Sequence, residues 1–177
     1  MSMIINPYAF GVAGGGLTPI IWNSADTSAD ITLSESDKRA TRTAGSSSWR
    51  MARAPTSCTI GGGSDLLIEV EILGDNQVIV GFAAATESLS AHLGANLGGY
   101  GYYANNGNKM NNNPGAGVAY GATVAVGDKI RAKVTSAGTI EFFKNGVSQG
   151  IAFTGLVGTV YPAVSVFNSG LSSARAT

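Results

Sequence analysis

Residues able to act as acids, bases or nucleophiles are few and scattered in this sequence. His92 is the single histidine and Cys58 the single cysteine among the 177 residues. A serine hydrolase would need His92 as its base, yet no Gly-x-Ser-x-Gly turn accompanies it. A zinc site would need further histidine or cysteine ligands. We therefore predict a loop or surface position for His92, and no catalytic residue, cofactor or metal.

A pair of carboxylates is the remaining candidate for hydrolytic chemistry. Glu69 and Glu71 are separated by one residue, so on a strand both side chains point to the same face. Glycosidases place two carboxylates across the bond that they cleave. An exposed strand face explains this spacing equally simply, because antiparallel sheets often keep one face in water. We favour that interpretation and do not expect an enzyme.

Tyrosine and asparagine are concentrated between residues 94 and 121. Tyrosine offers a flat amphipathic surface and asparagine offers adaptable hydrogen-bonding groups, a mixture suited to binding sugars or protein surfaces. The same residues are typical of strands and tight turns, so both interpretations stay open. The candidate binding residues are Tyr100, Tyr102, Tyr103, Asn105, Asn106, Asn108 and Asn111, with Trp49 as a residue that could stack on a ligand.

Basic residues gather between positions 38 and 53. They are Lys38, Arg39, Arg42, Arg50 and Arg53, and acidic residues lie close by in the sequence. One interpretation is an anion-binding site. We favour a solvated strand face with its loop, because mixed charges on a strand usually face water.

Composition excludes several classes of function. Lys+Arg and Asp+Glu number 11 each, charged residues make up only 12% of the chain, and glycine contributes 25 residues. No net field is available to attract nucleic acid or an anionic membrane, so neither is expected as a partner. A neutral surface of low charge density suits a subunit that packs against other proteins.

The segments of the sequence that carry these residues have the patterns of β-strands. Residues 66–73 alternate between apolar and polar side chains, and residues 78–82 are apolar on both faces, as in a central strand. Asn145-Gly146 between two strand-like runs predicts a hairpin. Residues 83–97 come nearest to a helix and predict a short helix or a turn. Strands separated by regular turn signals favour an all-β sandwich or barrel.

The sequence also predicts a division between residues 1–22 and residues 23–177. The first segment contains Pro7, Pro19 and three consecutive glycines, which favour neither helix nor strand. We predict an extended N-terminal arm over 1–22 and a single folded domain over 23–177.

The stretch from Ile31 to Phe167 resembles the SPRY domain. Residues 126–134 and 138–153 are similar to the family's "GD-x-I" and "F-x-KNG-x-x-x-G-x-A-F" patterns, and Tyr161-Pro162-Ala163-Val164 is similar to its "LYPAV" strand. Val80-Gly81-Phe82-Ala83 is similar to "VGIA". The resemblance implies an antiparallel β-sandwich of the concanavalin-like jelly-roll type, here with an N-terminal arm. No ligand-pocket residue of the family is carried over.

The first residues resemble the "INPY-x-F" opening of bacteriophage tail and other virion proteins. The matching assembly-arm residues are Ile4, Ile5, Asn6, Pro7, Tyr8 and Phe10. This resemblance implies a non-enzymatic virion structural protein, such as a decoration, fibre or tail accessory subunit, assembled in the host cytoplasm. Its implied partners are other virion proteins and further copies of itself, with a trimer favoured. The alternative is a receptor- or carbohydrate-binding module that attaches to a host surface glycan or protein.

Overall fold

The structure, a computed structural model, describes residues 16–113 and 115–177. These residues form a short 3₁₀ turn at Ser24–Asp26 and a series of β-strands, and no helix among them is long and apolar enough to cross a membrane. The strands are β1 (Ile31–Ser34), β2 (Arg39–Arg42), β3 (Arg50–Arg53), β4 (Cys58–Thr59), β5 (Leu66–Leu73), β6 (Val78–Ala83), β7 (Gly99–Tyr103), β8 (Asn108–Met110), β9 (Val118–Ala119), β10 (Lys129–Val134), β11 (Ile140–Lys144), β12 (Val147–Phe153), β13 (Thr159–Val166) and β14 (Ser173–Ala176).

The strands form two antiparallel sheets. Sheet I has the order β1-β2-β14-β5-β10-β11-β12, and sheet II has the order β3-β13-β6-β7-β8-β9, with β4 also paired to β13. The main hydrophobic core contains side chains of both sheets, such as Ile68 of sheet I and Val80 of sheet II. The predicted all-β antiparallel sandwich is confirmed.

Alternation along the strands decides which side chains enter the core. On β5, Ile68, Val70 and Ile72 are fully buried, as the sequence pattern predicts. On β6 all six residues are buried, which confirms a central strand. Its two faces enter different apolar clusters, because Val80 packs between the sheets while Ile79 packs on the outer face of sheet II.

The turns follow the predicted chemistry. Asn145 and Gly146 join β11 to β12 with φ values of 49° and 81°, the left-handed region that a tight hairpin requires. Residues 84–98, where a short helix or a turn was predicted, form a loop built of turns and bends. The ends of this loop meet, since the Ala84 amide donates to the Gly98 carbonyl at 2.8 Å.

The end of the predicted N-terminal arm belongs to the sandwich. Ile20 and Trp22 are buried in the main core, the Trp22 indole N–H donates to the Lys38 carbonyl at 2.8 Å, and the Thr18 amide donates to the Leu67 carbonyl at 2.7 Å. The folded domain therefore starts before residue 23, because an apolar side chain as large as tryptophan gains most by burial. The assembly-arm residues Ile4, Ile5, Asn6, Pro7, Tyr8 and Phe10 lie outside the described residues.

Replacing Trp22 should therefore destabilise the whole domain. The side chain is 1% exposed, and we expect Trp22→Ala to lower the free energy of unfolding by about 3–5 kcal/mol. Leu17→Ala is the matched control in the same segment, since Leu17 is 40% exposed; it should cost less than about 1 kcal/mol. Urea unfolding measures both variants. Equal small losses would show that residues 17–22 are not part of the domain.

Candidate functional site

The three tyrosines of β7 do not lie together. Successive residues of a strand point to opposite faces, so Tyr100 and Tyr102 face the interior and Tyr103 faces outward. Tyr102 is fully buried, its ring stacks on Phe142 at a centroid distance of 5.4 Å, and its hydroxyl donates to the Ala122 carbonyl. Burial, with a smaller effect of neighbouring Tyr120, raises the pKa of Tyr102 to about 12. The prediction of Tyr102 as a surface binding residue is thus corrected: it is a core residue.

Tyr100 lies at the margin of the same core. Its ring meets Phe153 edge-on at 5.3 Å and is partly buried against the main cluster. Burial, and secondarily the charge of Glu87, raises the pKa of Tyr100. Its contacts are those of a residue that closes the sandwich.

The predicted asparagines mainly connect loops. The Asn111 amide donates to the Leu97 and Gly99 carbonyls at 2.9 and 2.8 Å, and the Asn108 amide donates to the Ala116 carbonyl at 2.8 Å. The Asn106 amide donates to the same Ala116 carbonyl at 3.4 Å. Asn105 donates to the Asn76 side chain at 3.0 Å. These bonds fit the turn interpretation of the tyrosine- and asparagine-rich stretch.

Trp49 and Tyr103, both predicted, come together on the outer face of sheet II. The Trp49 ring centroid lies 5.4 Å from that of Tyr103, 5.1 Å from that of Phe167 and 6.0 Å from that of His92. We call these four side chains the aromatic patch. His92 is 9% exposed and the other three are half-buried. The predicted loop position of His92 is correct, but its side chain lies beneath the surface.

Strand register explains why residues distant in sequence meet here. Arg50 pairs with Val166 across β3 and β13, Val166 pairs with Val78 across β13 and β6, and Ile79 pairs with Tyr103 across β6 and β7. Trp49 directly precedes β3, Phe167 directly follows β13, and Tyr103 is the last residue of β7. The three rings therefore lie at the same end of these strands. The sequence does not reveal this grouping, because strand order and register depend on long-range pairing.

The loop of residues 84–98 covers the outer face of sheet II beside the patch. Leu93 is fully buried in the outer apolar cluster, and its amide donates to the Ser165 hydroxyl at 2.9 Å. The Glu87 carboxylate accepts from the Gly98 amide at 3.2 Å and from the Asn96 side chain at 3.3 Å. The loop that carries His92 is therefore fixed at its centre and at both ends.

Two arginines that were predicted to be solvated are buried instead. The Arg53 guanidinium is paired with Asp26 at 2.7 Å and donates to the Glu87 and Ala84 carbonyls at 2.7 and 3.2 Å. Arg42 is 0% exposed. Burial of a charge is costly unless every donor finds an acceptor. The prediction of a solvated face is therefore wrong for Arg42 and Arg53, because loop carbonyls replace water around them.

Arg42 organises the loop before Trp49. Its guanidinium donates to the carbonyls of Asp30, Ser46 and Ser48 at 3.1, 2.9 and 3.2 Å. Its own backbone carbonyl accepts from the Gly170 amide at 2.7 Å, three residues beyond Phe167. The side chain of Arg42 therefore holds the loop before Trp49, and its backbone carbonyl holds the segment after Phe167.

The paired carboxylates form salt bridges. Glu69 is buried and accepts from Lys129 at 3.1 Å, from Arg131 at 2.8 Å and from Thr177 at 3.1 Å. Burial opposes ionisation, but these hydrogen bonds outweigh it and lower the pKa of Glu69. Glu71 pairs with Arg175 at 2.5 Å. Both side chains lie on one strand face as predicted, but the expected exposure is wrong for Glu69, because its partners cover it. Within the described residues, no cluster of three or more His, Cys, Asp or Glu side chains could hold a metal.

Comparison with known proteins identifies the class of this sandwich. Residues 68–175 match the family model described as the SPRY domain, so the chain belongs to the SPRY domain family. SPRY domains in other proteins are interaction modules and are generally non-catalytic.

Solved structures share the fold. The SPRY domain of human HERC1 is 20% identical with a TM-score of 0.72, and the alignment covers 88% of this chain and 96% of that one. A human SPRY domain is 21% identical with a TM-score of 0.66, covering 83% and 94%. The PSpry domain of TRIM65 is 13% identical with a TM-score of 0.69, covering 91% and 93%.

Exchanging Arg42 for lysine should loosen the patch. Lysine keeps the charge but lacks the planar fork that reaches several carbonyls at once. We expect Arg42→Lys to lower the free energy of unfolding by about 2–4 kcal/mol. We also expect acrylamide to quench tryptophan fluorescence more strongly, because Trp22 is buried and quenching reports mainly on Trp49.

Arg39→Lys is the control on the same strand. Arg39 pairs with Glu35 at 3.5 Å at the surface, so this exchange should change stability by less than about 1 kcal/mol and leave quenching unchanged. A stability loss in Arg42→Lys without increased quenching would show that Arg42 supports the fold but does not position Trp49.

Proposed function

We propose that this protein is a non-catalytic binding module that contacts its partner through the aromatic patch. The observation that carries the proposal is the grouping of Trp49, Tyr103 and Phe167 at one end of strands β3, β13 and β7. Each ring is half-buried, and Trp49 contacts the other two edge-on or tilted. Large aromatic side chains dominate binding energy where they are held rigidly and remain accessible.

Two features favour this surface over the tyrosine and asparagine loops. The loop asparagines already use their amides to hold neighbouring turns. The patch, by contrast, rests on segments that Arg42 and Glu87 fix in place. A preorganised surface loses little conformational entropy on binding.

The narrower proposal is a bacteriophage virion subunit that docks through its N-terminal segment. It is supported by the resemblance of residues 4–11 to virion proteins and by the charge-poor, neutral composition. In this role the sandwich would project from the particle, and the patch would serve attachment to a host surface.

Loss of the patch rings should abolish binding. A random-peptide display library and a glycan microarray together supply both ligand classes as probes. We expect ligands from at least one of them to bind about 10- to 100-fold more weakly to Trp49→Ala and Tyr103→Ala.

Phe143→Ala is the control for this experiment, since Phe143 is a half-buried aromatic residue on the outer face of sheet I. It should bind like the unaltered protein. The proposal fails if neither library yields a ligand, or if selected ligands bind the Trp49 and Tyr103 variants undiminished.

The assembly role predicts a self-associating protein. Native mass spectrometry of the full chain should give a trimer, and deletion of residues 2–15 should leave a folded domain that no longer assembles or enters particles. Deletion stops before Thr18, whose amide bonds to Leu67, so the melting temperature should stay unchanged. A monomeric full chain, or undiminished particle incorporation after deletion, would contradict the assembly role.

A further inference from the structure

We propose that the aromatic patch binds a neutral saccharide, one of whose hydroxyl groups donates a hydrogen bond to Nε2 of His92. This inference rests on the proposed binding function and specifies its ligand class. Three observations support it: the hydrogen-bonding state of His92, the charges of the surrounding side chains, and the hydrogen bonds of the strands beneath the patch.

His92 has one nitrogen that lacks a donor. Its Nδ1 lies 3.3 Å from the Leu93 carbonyl oxygen. A carbonyl oxygen only accepts, so in the neutral ring Nδ1 carries the hydrogen and Nε2 presents a lone pair. Among residues 16–113 and 115–177, Nε2 has no hydrogen-bond partner, although it is buried. In the tautomer with the hydrogen on Nδ1 alone, the group that satisfies Nε2 is a donor such as a hydroxyl.

The indole ring of Trp49 is suited to the apolar face of a sugar ring. Trp49 meets the imidazole at a centroid distance of 6.0 Å with an interplanar angle of 64°. Aromatic faces are electron-rich and attract the weakly positive C–H groups of a pyranose ring. A saccharide can therefore cover the indole with its apolar face while a hydroxyl turns towards His92.

Two carboxylates lie near the patch. Asp30 forms an ion pair with Arg50 at 2.6 Å. Asp75 accepts from the neutral side chains Ser172 at 2.6 Å and Asn168 at 2.7 Å, so it keeps its negative charge and disfavours an anionic ligand. The polar side chain that touches the patch directly is an amide, because the Tyr103 hydroxyl bonds to Gln77. Such surroundings favour a polar but uncharged ligand.

A peptide would find little main-chain pairing here. β13 lies between β3 and β6, and β7 lies between β6 and β8. β3 is the edge strand of sheet II, but its outward backbone groups at Met51 are occupied, because the Met51 amide donates to the Leu89 carbonyl at 2.9 Å and the Met51 carbonyl accepts from the Ser28 amide at 3.0 Å. Extended peptides gain affinity by adding a strand to an unpaired edge. The patch instead offers side-chain groups, which suit a saccharide.

Binding requires one side-chain movement. Nε2 is covered in the present arrangement, so the proposal requires a neighbouring side chain to shift. We assign this shift to the half-buried ring of Trp49, whose centroid lies 6.0 Å from that of His92, while the backbone of its loop stays bonded to Arg42. Saccharide binding should therefore change the fluorescence of Trp49, whereas Trp22 remains buried in the core.

A microarray of neutral and acidic saccharides tests the inference. Two variants of His92 are compared on it with the unaltered protein. Phenylalanine keeps the ring but removes the acceptor, so His92→Phe should bind at least about tenfold more weakly. It should be as stable as the unaltered protein or more stable, because an unsatisfied buried nitrogen is removed. His92→Gln places an amide oxygen near the position of Nε2 and should retain part of the binding.

Each outcome decides a different point. Saccharide binding that survives His92→Phe would overturn the role of Nε2, and preference for acidic sugars would overturn the neutrality of the ligand. Ligands found only in the peptide library, and dependent on Trp49, would overturn the saccharide while leaving the binding function intact. Absence of ligands in both libraries would overturn both.

Discussion

The guanidinium of Arg42 is a full positive charge without solvent exposure, and its surroundings must compensate for the lost hydration. Compensation comes from the carbonyls of Asp30, Ser46 and Ser48, with the Asp30 carboxylate at 3.6 Å as the counter-ion. These oxygens belong to connecting segments, so the loop before Trp49 can have only the conformation that delivers them. The loop geometry at this end of the sandwich follows from the need to satisfy one buried cation.

Arg53 repeats the arrangement in the other sheet, on β3 of sheet II. It donates to the carbonyls of Ala84 and Glu87, at the start of the loop that carries His92, and pairs with Asp26. Loops without regular hydrogen-bond ladders usually have the lowest local stability in a domain. Here two such loops are anchored to buried charges, which allows irregular backbone to present aromatic rings in a fixed arrangement.

Much of the sandwich follows from sequence pattern, but the site follows only in part. The alternation of β5 and the Asn145-Gly146 turn predict strand and hairpin directly, because both depend on neighbouring residues. The same alternation rule separates Tyr102 from Tyr103, which a grouping by composition overlooks. Burial of Arg42 has little local signal, since most of its acceptors are backbone oxygens that any residue type supplies and its charge partner, Asp30, lies 12 residues away in the sequence. Phe167 joins Trp49 only through the register of sheet II, and His92 joins them only because its loop is bonded to Ser165 of β13 through the Leu93 amide.

The few charged side chains of the protein are distributed unequally between the outer faces of the two sheets. On the outer face of sheet I, Glu69 contacts Lys129 and Arg131, and Glu71 contacts Arg175. Cross-strand pairs of opposite charge satisfy one another, and each contributes modestly to stability when exposed. That face therefore presents ion pairs already made, which offer little to a new partner. The outer face of sheet II carries apolar residues beneath a loop and aromatic rings at its edge. The two faces differ in the kind of surface that they expose, and this difference is the reason for placing the proposed binding surface on the side of sheet II.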